Sequence, residues 1–177
     1  MAHATTQLWT CYLIRHAIAA ERGPAWPDDT LRPLTPDGAR RMTRGVAGLA
    51  ALDVRIEQVV TSPLVRARQT ADLVAAGLRR ANAGSTPVVV LPELAPDTPP
   101  EQVMPALAKV TRAMTVALVG HEPDLGDLAA WLIGAERPIP FRKGAVCRID
   151  GRGWPACQGE AGLVWLATPK MLRRLAR

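Results

Sequence analysis

Two histidines and two arginines carry the chemistry that this chain can be expected to perform. Arg15 and His16 are adjacent, Arg66 follows the dipeptide Ser62-Pro63, and His121 follows the run VALVG and precedes Glu122. Arginine offers a planar fork of donors that stays charged at any working pH and suits the oxygens of a phosphoryl group. A neutral imidazole placed among such donors can attack phosphorus and form a phosphoramidate, splitting one hard displacement into two. A second imidazole, once protonated, can neutralise charge that develops on the equatorial oxygens. No set of three His, Asp or Glu residues has metal-ligand spacing, so no metal and no other cofactor is expected.

These residues matter only if the fold gathers them. Apolar runs alternate with helical patterns along the chain. Leu8–Ile14 reads as a strand ending at Arg15-His16. Thr35 and Pro36 then open a helix to about Leu52, and Ile56–Thr61 is a second strand. Ser62-Pro63 repeats that start signal for a helix to about Arg80, followed by a strand at Val88–Leu91. Thr98 and Glu101 have capping-box spacing before a helix to about Val110. Met114–Val119 is a fourth strand, followed by a helix from Pro123 to Ile133. Strands at Ala145–Ile149 and Leu163–Ala167 flank the Gly-rich segment GRGWPACQG and form a hairpin. Thr168-Pro169 opens a last short helix with Met171, Leu172 and Leu175 inward. The alternation predicts an α/β fold, a three-layer αβα sandwich whose central sheet is mainly parallel with an antiparallel edge strand.

Ligands in such sheets bind beyond the carboxyl ends of the strands. That rule collects Arg15, His16, Arg66 and His121 at one edge, with Glu93 at the end of the third strand. Taken singly, each has a plain structural reading. Arg66 alone would be a solvated helix residue, His121 a hydrogen-bonded structural histidine, and Glu93 a carboxylate orienting Arg15 or Arg66. Arg32 in the first loop is either a pocket residue or an ion-pair residue. Glu21 is a weaker candidate in the same loop, and Glu122 is assigned to the helix start that follows it. His3 lies in the amino-terminal tail. Joint placement is what favours a site.

Composition narrows the class. With 177 residues, the chain can bury about 70% of the surface its unfolded state exposes. One domain spanning residues 1–177 is expected, with 1–7 as a tail. No apolar run is long enough to cross a bilayer, the start lacks signal-peptide character, and three cysteines form no paired framework, which together suit a reducing cytoplasm. Twenty-two basic against sixteen acidic residues give +6. That balance admits nucleic acid, an anionic small substrate, an acidic protein partner, or mere compositional bias. The scarcity of aromatics argues against a stacking platform for nucleic acid.

Three segments resemble signatures of the histidine phosphatase (phosphoglycerate mutase-like) superfamily. They are LIRHAIA, VVTSPLVRARQTADLV and ALVGHEPDL, in order and at matching spacing between about Tyr12 and Ile133. LRPLTPDGARR, VLPELAP and the short chain narrow the resemblance to SixA-type phosphohistidine phosphatases. The resemblance implies that His16 is the phosphorylated nucleophile and that Arg15, Arg66 and His121 bind phosphate. Ala17 stands where the superfamily usually has glycine. It fits an extended backbone, but a positive φ would strain it by roughly 1–2 kcal/mol.

The interval from Glu93 to His121 holds one helix and one strand, whereas relatives acting on small metabolites often carry a longer helical insertion there. An open site and a phosphohistidine-bearing protein substrate follow as the expectation, for a monomer with no membrane or nucleic-acid partner. Because a protonated imidazole leaves readily, Glu93 need not donate a proton. The alternatives are a phosphomonoesterase acting on a sugar or nucleotide phosphate, and a non-catalytic phosphate-binding module.

Overall fold

The computed structural model describes residues 8–79 and 84–176. His3, the expected tail and Arg80 fall outside them. Strand β1 (Leu8–Arg15) is an almost unbroken apolar run, as a strand covered on both faces must be. Its side chains alternate: Cys11 and Leu13 enter one apolar core, while Tyr12 and Ile14 enter the other. The remaining strands are β2 (Gln58–Thr61), β3 (Val88–Val90), β4 (Thr115–Gly120), β5 (Val146–Arg152) and β6 (Ala161–Ala167). They form one sheet in the order β3-β2-β4-β1-β5-β6. The first four strands in that order run parallel, and the β5-β6 hairpin adds antiparallel pairing at one end.

Helices cover both faces. On one side lie α1 (Pro36–Ala51), α2 (Val65–Gly77) and α5 (Pro169–Leu175), which bury Val46, Leu49, Val74 and Leu172 against Ile14, Val59 and Val119. On the other lie α3 (Pro100–Val110) and α4 (Asp124–Ile133), which bury Leu107, Leu128 and Leu132 against Leu13, Val60 and Leu118. The chain steps outward from β1 through β2 to β3, then returns to insert β4 beside β1. Strand order reverses there, and the crevice at the carboxyl ends of β1 and β4 is where such sheets bind ligands.

Local start signals hold at two of the expected helices. The Thr35 side chain accepts from the Gly38 amide at the head of α1, and Thr168 accepts from Met171 at the head of α5. Ser62 departs from its expected capping role. Helix α2 begins at Val65 with Leu64 as its cap, and the Ser62 hydroxyl meets His121 ahead of the helix. The Thr98–Glu101 capping box also fails to form. α3 starts behind Pro99 with no side-chain cap, and Thr98 Oγ1 donates back to the Ala95 carbonyl. In α5 only Leu172 is buried, whereas Met171 and Leu175 are exposed, since seven residues present too narrow a face to bury all three.

Candidate active site

Parallel pairing brings the two histidines together. The register sets Arg15 against Gly120, so His16 and His121 are the next residues on neighbouring strands. The His16 amide donates to the Gly120 carbonyl at 3.0 Å, and the ring centroids lie 5.1 Å apart at 54°. Strand β2 ends beside them, with the Ser62 amide donating to the Val119 carbonyl at 2.9 Å. Arg66 sits in the first turn of α2 and is only 3% exposed, so its guanidinium reaches back over this edge. Together with the β1–α1 loop these groups wall a cavity of about 530 Å³. Its lining includes Arg15, His16, Arg32, Arg66 and His121, and also Glu21, Glu122 and Lys143.

Each ring and guanidinium is held on one side and has a nitrogen without a protein partner on another. His16 Nδ1 donates to the Ala17 carbonyl at 2.7 Å, which fixes the tautomer and leaves the lone pair on Nε2. The Ser62 hydroxyl accepts from the Leu64 amide at 3.3 Å and sits 2.8 Å from His121 Nε2. Arg15 Nη1 donates to the Phe141 carbonyl at 2.6 Å. Arg66 Nη1 donates to the Asp29 carbonyl at 2.7 Å, and Arg66 Nη2 to Asp29 Oδ2 at 2.9 Å. Among the described residues, Arg15 Nε, Arg66 Nε and His121 Nδ1 are buried nitrogens without a protein partner. A buried polar atom left unpaired costs free energy, and the residues that carry these three all line the cavity, whose two guanidinium groups suit an anion.

Electrostatics keep both imidazoles neutral. Burial pulls His16 down to about 4; the Ala17 hydrogen bond opposes this, and the Arg66, Arg15 and Lys143 charges reinforce it. His121 falls to about 3, chiefly through burial and then through His16 and Arg66, with Asp29 opposing. A neutral imidazole keeps a lone pair with which it can act as a nucleophile, and an anion placed nearby would favour the charged form of His121.

Arg32 meets both of its expected descriptions. It lines the cavity, and it is also an ion-pair residue, with Nε 2.9 Å from Asp29 Oδ1 and Nη1 donating to the Ala20 carbonyl. Glu93 does not line the cavity. It stands in a short 3₁₀ turn (Pro92–Leu94) and lines a small separate hollow that His121 also lines. The carboxylate that orients Arg66 is Asp29, and the one nearest Arg15 in effect is Glu122. Glu122 faces the cavity in addition to preceding α4. Its carboxyl is pushed up by burial, against the pull of Arg15 and the Phe141 amide. Ala17 carries no strain, since Asp53 and Asp97 are the non-glycine residues with positive φ among those described.

Four contributors escape the sequence reading. Asp29 lies 37 positions from Arg66 in an irregular loop, where no periodicity points to it. Ser62 looks like a helix cap. Thr70, whose hydroxyl accepts from the Ala17 amide at 3.1 Å and donates to the Arg66 carbonyl, was legible as the i+4 neighbour of Arg66 on one helix face. Lys143 enters because β5 pairs with β1, which brings the residues just before β5 to the carboxyl end of β1.

A model of the histidine phosphatase superfamily (branch 1) matches residues 11–95. The phosphohistidine phosphatase SixA of Escherichia coli (strain K12) is 31% identical over 140 residues, covering 78% of this chain and 83% of that protein. The chain belongs to the histidine phosphatase superfamily. An uncharacterized protein of Picosynechococcus sp. is 39% identical over 120 residues, 67% of this chain and 69% of its own length. The structure of the protein histidine phosphatase SixA complexed with tungstate superposes with a TM-score of 0.74 at 27% identity, covering 91% of this chain and 97% of that one. Within the histidine phosphatase superfamily the chain is a phosphatase of the SixA type. No helix among the described residues is long and apolar enough to cross a membrane, and no group of three or more His, Cys, Asp or Glu residues there could hold a metal ion.

Proposed function

We propose that the protein hydrolyses phosphohistidine on a partner protein through a phospho-His16 intermediate. The observation that carries this reading is a neutral His16 whose Nδ1 is tied to a carbonyl, in one cavity with the Arg15 and Arg66 guanidinium groups and the His121 ring. In this scheme the phosphoryl oxygens are held by the Arg15 and Arg66 guanidinium groups and by the His121 ring. Nε2 of His16 forms a bond to phosphorus as the substrate N–P bond breaks. The substrate imidazole already carries a proton on its other ring nitrogen and leaves neutral. Water then attacks phosphorus, the His16 N–P bond breaks, and inorganic phosphate departs. That the SixA structure of similar fold is a complex with tungstate, a tetrahedral oxyanion, supports an oxyanion as the kind of ligand.

Access supports a protein substrate. Between Glu93 and His121 the chain forms α3 and β4, and no residue of α3 reaches the cavity wall. A phosphoryl group mounted on a protein surface can therefore enter. His16→Ala is expected to abolish turnover of phosphohistidine protein. Rapid quench of the wild type should trap an adduct that is acid-labile and stable in alkali, and an alkali-labile adduct would refute the nucleophile.

A phosphomonoester substrate is the second reading, and Glu122 is what favours it. A carboxyl raised by burial and facing the cavity can protonate an alkoxide leaving group. Under the phosphohistidine reading Glu122→Gln leaves phosphohistidine hydrolysis within about threefold, because a neutral imidazole needs no proton donor to leave. Preferred turnover of sugar or nucleotide phosphates, lost by roughly 10²-fold or more in Glu122→Gln, would establish the second reading instead.

A further inference from the structure

A second groove, of about 610 Å³, opens beside the active site and shares Arg15 and Lys143 with it. Its walls come from α1, α5 and the turn before β5, and they carry Arg41, Arg142, Lys170 and Arg173 with no acidic residue. Arg41 is paired with Asp37, but among the described residues Arg142, Lys143, Lys170 and Arg173 form no ion pair. Like charges gathered without counter-charges repel one another, and a complementary partner relieves that repulsion. Between the cations the lining is apolar, from Ile18, Met42 and Pro169. A bare phosphate would leave that lining and most of the volume unused, whereas a peptide segment uses both. No aromatic residue lines the groove, so it gives nucleobases nothing to stack on.

We propose that this groove docks an acidic segment of the protein that carries the phosphohistidine, holding that protein while its phosphoryl group enters the neighbouring cavity. The proposal rests on the phosphohistidine reading and adds the chemistry of the partner. Exposed charges act over a Debye length of about 8 Å at physiological salt, enough to steer a partner onto the groove and so speed its encounter. Their effect falls on kcat/KM through association and leaves the chemical step untouched.

The test compares the wild type with Arg142→Glu/Lys170→Glu/Arg173→Glu, three positions outside the catalytic cavity. Substrates are the free amino acid N-phosphohistidine and two histidine-phosphorylated phosphotransfer proteins, one with an acidic and one with a basic surface around the histidine. Expected is a loss of roughly 10- to 100-fold in kcat/KM on the acidic protein at about 50 mM salt, shrinking towards parity near 500 mM. Free phosphohistidine should be turned over within about twofold of wild type, which also shows that the variant is folded. The acidic protein should be the better wild-type substrate of the two. Equal loss on both kinds of substrate, no loss at all, or a loss indifferent to salt overturns the docking proposal while phosphohistidine hydrolysis by the wild type stands. Protection of the acidic protein by RNA competitor at equal charge, with no protection by polyglutamate, also overturns it. Wild-type enzyme inert towards free and protein-borne phosphohistidine alike would instead bring down the underlying reading, and the docking proposal with it.

Discussion

Asp29 shows how one residue sets the working shape of the site. Its carboxylate and carbonyl together take both terminal nitrogens of Arg66, and the same carboxylate meets Arg32 and Arg22. Arg66 is thus fixed before substrate arrives, with its Nε left without a protein partner. Arg66→Ala should lower kcat/KM by roughly 10²–10³-fold, as expected of a group that stabilises transition-state charge. Asp29→Ala keeps the guanidinium but frees its orientation, and about a tenfold loss should follow. Steady-state kinetics and the inhibition constant of tungstate read both effects, and an Asp29→Ala enzyme as active as wild type would deny the orienting role. Arg15, His16 and His121 were legible in the chain because they fall at strand ends, and Arg66 because it follows Ser62-Pro63 in the first turn of the next helix. Asp29 was not, because a carboxylate in an irregular loop announces its partner only once the loop is folded.

Close backbone approach positions the elements that carry those residues. A Cβ on Gly48 would lie 2.0 Å from the Leu172 carbonyl oxygen, so α1 and α5 pack at a distance only glycine allows. Gly48→Ala should cost roughly 1–3 kcal/mol, with about 2–4 °C of Tm for each, and leave catalysis at 25 °C near wild type because the contact lies away from the cavity. Gly38 meets Ile18 in the same way, with a Cβ 2.0 Å from its carbonyl oxygen, and Ile18 is two residues past His16. Gly38→Ala should therefore lower kcat as well as Tm. Thermal denaturation paired with kinetics separates the two cases, and equal effects on kcat would contradict this division. Strands and helices were readable from periodicity, and Thr35 and Thr168 from capping chemistry. Ser62 and Thr98 carried the same local signal without becoming the caps of α2 and α3: Ser62 Oγ accepts from the Leu64 amide and meets His121, and Thr98 Oγ1 donates to the Ala95 carbonyl.

The whole molecule stores the cost of two buried neutral imidazoles. In the unfolded chain a histidine titrates near about 6.5, while His16 titrates at about 4 and His121 at about 3 in the fold. Between those values the unfolded state binds more protons than the folded one, so stability rises with pH across this window. It is complete above about 6.5 and is lost as pH falls towards 4 and 3. Tm should drop over that range, and His16→Ala/His121→Ala should flatten the drop. A wild-type slope retained by the double variant would show that other groups set it. In the free enzyme kcat/KM should fall as pH descends through about 4, where protonation removes the His16 lone pair.

Sequence alone determined which chemistry was available and which elements would form. Residue type fixes donor and nucleophile character, and apolar periodicity fixes which face each element buries. Tertiary structure decided which groups share one cavity. Parallel register set His16 beside His121, and the β1–α1 loop delivered Asp29 to Arg66. The 3₁₀ turn carried Glu93 away from the cavity, and the packing of α5 on α1 gathered a basic groove from segments more than a hundred residues apart. Such proximity follows from strand order and loop path, which depend on contacts between distant parts of the chain that no local pattern encodes.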